Sequence, residues 1–121
     1  MNLSRLNKGR KGEEEVEKYL IKQGFNVLER SFRCKIGEID IVAEKDDDIY
    51  FIEVKARWSD NFGSPLEAVG KSKQKKIINV AKYYIAKKRL HDVNCHLSVV
   101  GVDMTSEVFK LEFIEDAFEV S

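Results

Sequence analysis

Residues Gly37 to Arg57, GEIDIVAEKDDDIYFIEVKAR, constrain this chain's fold more than any other stretch. Two β-like runs, Glu38–Glu44 and Ile49–Arg57, flank the polar cluster Lys45–Asp48, the pattern of a hairpin with a short charged loop. Centring that loop between Asp46 and Asp47 sets Asp40 opposite Glu53 and Glu38 opposite Lys55. Side chains alternate with period two, so this register sends all four charges to one face. The remaining positions are apolar on both sides: Ile39, Ile41, Ala43, Ile52 and Val54 on one, Val42 and Phe51 on the other. Near-continuous apolar strands belong in the middle of a sheet covered on both faces. There, charge is expensive unless it is paired or coordinates a cation. The hairpin therefore predicts a divalent-metal site, against the plainer reading of cross-strand ion pairs near a sheet edge.

The chain around the hairpin predicts one domain, residues 1–121, with helices and strands alternating. With 121 residues, 43% apolar and 35% charged, it can bury a core without disulfides and is not a disordered composition. Cys34 and Cys95 have no CxxC partner, so both are expected reduced and packed, not bound to zinc. No apolar run approaches a membrane span and the basic residues 1–12 lack an apolar segment behind them, which predicts a cytoplasmic protein without membrane contact. Ser4 to about Gln23 reads as a helix with Val16, Tyr19 and Leu20 facing the core and Gly24 as the stop. Glu13 falls within roughly 20° of Leu20 around that helix. It sits at the margin of the core-facing arc, where spacing alone leaves it a surface acid or a carboxylate that reaches the hairpin.

Phe25–Arg33 is a first strand that leads through a basic turn, with Arg30, Arg33 and Lys35, into the hairpin. After the loop Trp58–Gly63, Ser64-Pro65-Leu66-Glu67 forms a capping box that starts a short helical turn ending near Gly70. Ser72–Arg89 is the second long helix, with Ile77, Ile78, Ala81, Tyr84 and Ile85 as its buried stripe. Residues 71–90 carry seven lysines and one arginine without an acid, whereas Glu107–Ser121 has five acids against one lysine. The formal net charge of zero hides this segregation, and a local basic stripe can attract phosphate in a neutral protein. Lys73, Gln74 and Lys76 fall where a helix presents free amides to anions. Cys95–Met104 and Val108–Ile114 close the chain as a second hairpin. His91 and His96 read as surface or turn residues.

Phosphodiester hydrolysis needs an activated water, a cation against phosphate charge and a group to orient the attack. Asp40 and Glu53 are the right donors for Mg²⁺ or Mn²⁺, with the backbone carbonyl of Val54 as a third oxygen and Glu38 as a conditional ligand. Lys55 beside them would hold the water or offset phosphate charge.

The order of these residues resembles the PD-(D/E)xK nuclease superfamily, and more closely the YraN-like family of small bacterial proteins, relatives by fold of archaeal Holliday-junction resolvases. The similarity runs from Gly9 to about Asp103 through Gly12-Glu13, Gly37-Glu38-Ile39-Asp40, Phe51-Ile52-Glu53-Val54-Lys55-Ala56-Arg57, Phe62-Gly63-Ser64-Pro65 and Lys73-Gln74. The resemblance implies a three-layer α/β/α restriction-endonuclease-like fold with a mixed central sheet. It implies Asp40 and Glu53 as metal ligands, Lys55 as catalytic lysine, Glu13 as the first-helix glutamate of the site and Gln74 as a helix residue near it. His96-Leu97-Ser98 departs from the family's Arg-Phe-Asp in the fourth strand. The function expected is a metal-dependent, structure-selective DNA endonuclease acting on branched or single-stranded DNA, with a homodimer favoured for cutting two strands. Its backbone contacts would come from Arg33, Lys35, Arg57, Lys71, Lys73, Lys75 and Lys76. The alternative is a non-catalytic nucleic-acid-binding or adaptor module that has kept the fold.

Overall fold

The computed structural model describes residues 3–57 and 64–119, with side chains described from Arg10 onward. Its elements are α1 (Leu3–Lys22), β1 (Asn26–Arg33), β2 (Glu38–Lys45), β3 (Asp48–Arg57), α2 (Lys71–Lys87), β4 (Cys95–Asp103) and β5 (Lys110–Ile114). The strands form one mixed sheet in the order β1-β2-β3-β4-β5. Neighbours are antiparallel except β3 and β4, which run parallel and are joined by the crossover through α2. Parallel strands need such a connection because no tight turn can reverse the chain twice. Trp58 and the Phe62-Gly63 pair lie outside the described residues.

The central hairpin has the expected centre. Lys45 pairs with Asp48, and Asp46 and Asp47 turn between them at φ 51° and 68°. Two consecutive positive φ values are the signature of a type I′ turn, whose twist matches that of the flanking strands.

Each face of the sheet is covered by one helix. On the α2 side Ile77, Val80, Ala81 and Tyr84 pack with Val42, Ile49, Phe51, Leu97 and Val99. On the α1 side Val16 and Leu20 pack with Ile41, Ala43, Tyr50, Ile52, Val100 and Val102. Alternation along β3 is strict, Ile49 and Phe51 to one side and Tyr50 and Ile52 to the other, and it carries Glu53 and Lys55 to the α2 side.

Along β2 alternation fails at one place. Ile41 packs beside Val16 and Leu20, but Ile39 packs beside Phe32 and Val80, across the sheet from the side the sequence pattern assigns it. The β2–β3 ladder ends at Ile41–Ile52, and Ser31, at φ 50°, sits between the Arg30–Ile41 and Phe32–Ile39 pairs, across from Asp40. The strands twist out of register with their own pleat just where the acidic residues begin.

Two glycines let the layers close on that place. A Cβ at buried Gly12 would lie 3.2 Å from the Ala56 Cβ, so α1 rests directly on β3. A Cβ at Gly101 would lie 2.1 Å from the Pro65 Cγ, so the turn before α2 lies flat on β4. The capping box in that turn is reciprocal: the Glu67 N–H donates to the Ser64 Oγ at 3.3 Å and the Ser64 N–H to the Glu67 carboxylate at 3.4 Å. Pro65–Ala68 form a turn and not a helix of their own. One expectation about cysteine fails, since Cys34 is half-buried but Cys95 is exposed at the start of β4. Among the described residues no helix is long and apolar enough to cross a membrane.

Candidate functional site

Asp40 and Glu53 come together where the β2–β3 ladder stops. The Asp40 carboxylate accepts the Val54 backbone N–H at 2.8 Å, replacing the ladder bond that the twist removes. This bond fixes the peptide between Glu53 and Val54 and holds Asp40 beside Glu53. Glu53 itself is only 5% exposed. Burial first, then hydrogen bonding and charge repulsion from Asp40, push its carboxyl well above the usual carboxylate range. Two carboxylates this close and this dry cannot both stay ionised without positive charge nearby.

Two lysines supply some of that charge. The Lys55 Nζ lies 3.9 Å from Glu53 Oε2 on the same strand, and the Lys73 Nζ, from the first turn of α2, lies 3.6 Å from the same oxygen. Both oppose the upward push on Glu53, Lys73 more than Lys55. The sequence pattern assigns Lys73 to phosphate contacts alone. Nothing in a lysine-rich helix distinguishes it from Lys71, Lys75 and Lys76, and only the packing of α2 against β3 does so.

Glu13 does reach the site's field. It is half-buried, and its carboxyl is raised first by burial and then by Asp40 and Glu38, with Arg30 and Arg33 pulling the other way. Its place follows from Gly12, which seats this turn of α1 against Ala56.

Glu38 does not face Lys55 as the ideal register demands. Its ion pair is with Arg33 across β1, at 3.3 Å, because the twist between Ile39 and Ile41 turns this end of β2 away from β3.

Gln74 is half-buried, and its side-chain amide donates to the Val69 carbonyl at 2.9 Å, tying the capping turn to α2. Arg57 forms an ion pair with Asp103 of β4 at 2.9 Å. Hydrogen bonds from the Thr105 hydroxyl and backbone N–H, then the Arg57 guanidinium, hold the Asp103 carboxyl well below its ordinary value. Lys35 is exposed in the β1–β2 turn, and Lys71, Lys75 and Lys76 are exposed around the start of α2, which has no acid in its first turn.

Among the described residues no three His, Cys, Asp or Glu side chains are gathered closely enough to enclose a metal ion. Asp40 and Glu53 as a pair suit an ion of the magnesium type, which keeps several waters and takes one or two carboxylates. The repulsion between the buried Glu53 carboxylate and the half-buried Asp40 beside it is also what a hard divalent cation would relieve.

A second cluster escaped the sequence reading. His96, expected on a surface or turn, lies in β4 with Nε2 2.8 Å from Asp48 and Nδ1 2.7 Å from Asp116. Its ring stacks on Tyr50 at 4.3 Å, and the Tyr50 hydroxyl donates to Glu115 at 2.8 Å. Ser98 donates to the Glu115 backbone carbonyl. Burial alone would lower the His96 pKa, but the two carboxylates outweigh it and raise it. The parallel Tyr50–His96 pairing that builds this cluster joins positions far apart in the chain, and no local pattern signals it.

Comparison with known proteins adds the following. The model of an uncharacterised protein family, UPF0102, matches residues 12–102. A UPF0102 protein of Clostridium acetobutylicum is 47% identical over 122 residues, covering 98% of this chain and all of that one. One from Syntrophus aciditrophicus is 42% identical over 116 residues, covering 96% of this chain and 91% of its own. Among solved structures, Pyrococcus furiosus SfsA in complex with Ca²⁺ aligns at 14% identity and a TM-score of 0.35, over 93% of this chain and 63% of that chain.

Proposed function

We propose that this chain, which belongs to the uncharacterised protein family UPF0102, is a divalent-metal-dependent phosphodiesterase that cuts DNA, built on a restriction-endonuclease-like fold of the PD-(D/E)xK type. The observation that carries this reading is the buried Glu53 carboxylate, beside Asp40 and with two lysine ammonium groups within 4 Å of it. A buried carboxylate beside a second one is what a hard divalent cation relieves, and such oxygen donors are the ligands that metal-assisted hydrolysis with Mg²⁺ or Mn²⁺ uses.

In this reading Asp40 and Glu53 hold Mg²⁺ or Mn²⁺, with the Val54 carbonyl as a further oxygen and Glu13 and Glu38 as acids at the margin. The ion, when bound, supplies Lewis acidity and a water of lowered pKa. Lys55, held beside Glu53, orients the attacking water and faces the phosphate's developing charge. Lys71, Lys75 and Lys76, on an acid-free helix start, and Arg33 at the end of β1 with Lys35 in the turn after it, bind the backbone on either side. Contacts of this kind carry no base readout, so the substrate is selected by shape, with branched or single-stranded DNA favoured.

The test incubates the protein with duplex, single-stranded, flap and four-way-junction DNA in Mg²⁺ or Mn²⁺, beside Asp40→Asn, Glu53→Gln and Lys55→Ala. Metal-dependent cleavage lost in all three variants is the expected result. Cleavage that survives them refutes the assignment. Salt-sensitive binding without product, unchanged by Asp40→Asn, assigns the chain instead to non-catalytic nucleic-acid binding.

A further inference from the structure

Lys73 differs from every other lysine at the start of α2. Among the described residues it alone of Lys71, Lys73, Lys75 and Lys76 has a carboxylate partner, and that partner is the buried Glu53 at 3.6 Å. The two lysines at Glu53 are also held differently. Lys55 is two residues along the same strand and its side chain is 35% exposed. Lys73 comes from a separate helix, and its side chain is 46% exposed while Glu53's is 6%. An ammonium on a long stem, half in water, can leave the carboxylate by rotamer change alone.

We propose that Lys73 is the resident counter-ion of the acidic centre, that an entering divalent cation displaces it, and that the released ammonium then takes a phosphate of the nucleic-acid substrate. The inference rests on the metal-dependent reading above and deepens it. A lysine and a metal ion cannot both neutralise the same buried oxygen at full strength, because each removes the field that attracts the other. Lys73 therefore competes with the metal for Glu53. Once freed, it stands in the acid-free first turn of α2, where the helix amides and neighbouring lysines already favour an anion. Metal loading and substrate capture become linked, and the linkage must act in both directions.

Mn²⁺ binding to the metal-free full chain, measured by isothermal titration calorimetry, reads the competition directly. Lys73→Ala is expected to bind Mn²⁺ about fivefold or more tightly than the wild type, and Lys73→Arg is expected to fall back toward or below it. Lys82→Ala, a charge removed elsewhere on α2, is expected to leave Mn²⁺ affinity unchanged because salt screens it. Fluorescence anisotropy with a labelled four-way junction reads the second half. Mn²⁺ is expected to tighten junction binding by the wild type, and that gain is expected to disappear in Lys73→Ala.

Lys73→Ala that binds Mn²⁺ no more tightly than the wild type overturns the inference and leaves the metal centre standing. Mn²⁺ binding by neither protein, or binding that survives Glu53→Gln, sinks the metal centre and the inference together. Tighter Mn²⁺ binding with a lost junction gain, but no cleavage of any DNA, upholds the exchange and removes only the hydrolytic activity.

Discussion

The Asp40 carboxylate accepts the Val54 backbone N–H at 2.8 Å, so one side chain both closes the end of the β2–β3 hairpin and lines the acidic centre. Alanine at this position therefore has two effects that need separating. Asp40→Ala leaves a part-buried N–H without its acceptor and should cost about 1–3 kcal/mol. Asp40→Asn keeps a carbonyl oxygen in place and should cost less, yet lose metal-dependent activity just as fully. Urea unfolding of both variants, beside Mn²⁺ titrations, checks the split.

Glu53 gives the metal-free protein a pH dependence of definite sign. Its pKa is raised on folding, chiefly by burial and then by Asp40, so the folded state holds the proton more firmly than the unfolded chain. Stability then falls as pH rises from the ordinary value of 4.5 through the raised one. Glu53→Gln removes that slope and should melt higher than the wild type in chelator at pH 8 to 9, with little difference near pH 4. Added Mg²⁺ should stabilise the wild type increasingly with pH and leave Glu53→Gln unmoved. Scanning calorimetry across this range decides it.

His96 contributes a separate pH-dependent part. Asp48 and Asp116 flank its ring, with Tyr50 against its face and Glu115 on the Tyr50 hydroxyl. Because its folded pKa is raised above the ordinary 6.5, its stabilisation is complete below that value and fades as pH rises through the folded pKa. His96→Gln should therefore be less stable than the wild type at pH 5.5 and approach it at alkaline pH. The window overlaps that of Glu53, so the comparison is best made in the Glu53→Gln background.

Gly101 admits no side chain without moving Pro65. Gly101→Ala should destabilise by about 1–3 kcal/mol and shift the turn that precedes α2. Since that turn is tied to Gln74 through the Val69 carbonyl, the start of α2 should shift as well. A changed amide spectrum for residues 64–76 and for Lys55, the β3 partner of Gly101, with the Asp46–Asp47 end of the β2–β3 hairpin unaffected, is the expected NMR result.

Much of this architecture is legible in the residues. The Asp46–Asp47 turn centre, both helices, the capping box and the approach of Asp40 to Glu53 follow from local pattern, because turn chemistry and periodicity act over a few residues. The face of Ile39 and the partner of Glu38 do not, since strict alternation is an idealisation that fails where Ser31 takes a positive φ across from Asp40. Lys73 and His96 were hidden for another reason. Glu53 and Asp48 are brought to them by the crossover and the parallel β3–β4 register, and Asp116 by the chain just past β5 where it runs beside β4, none of which leaves a local trace in composition.

The two-residue turn at Asp46–Asp47 leaves the hairpin no slack. A slip of one residue along β3 would carry Glu53 to the α1 side and bring an apolar neighbour toward Lys73. The face of β3 that Glu53 and Lys55 present to α2 is thus specified by two turn residues that touch neither of them.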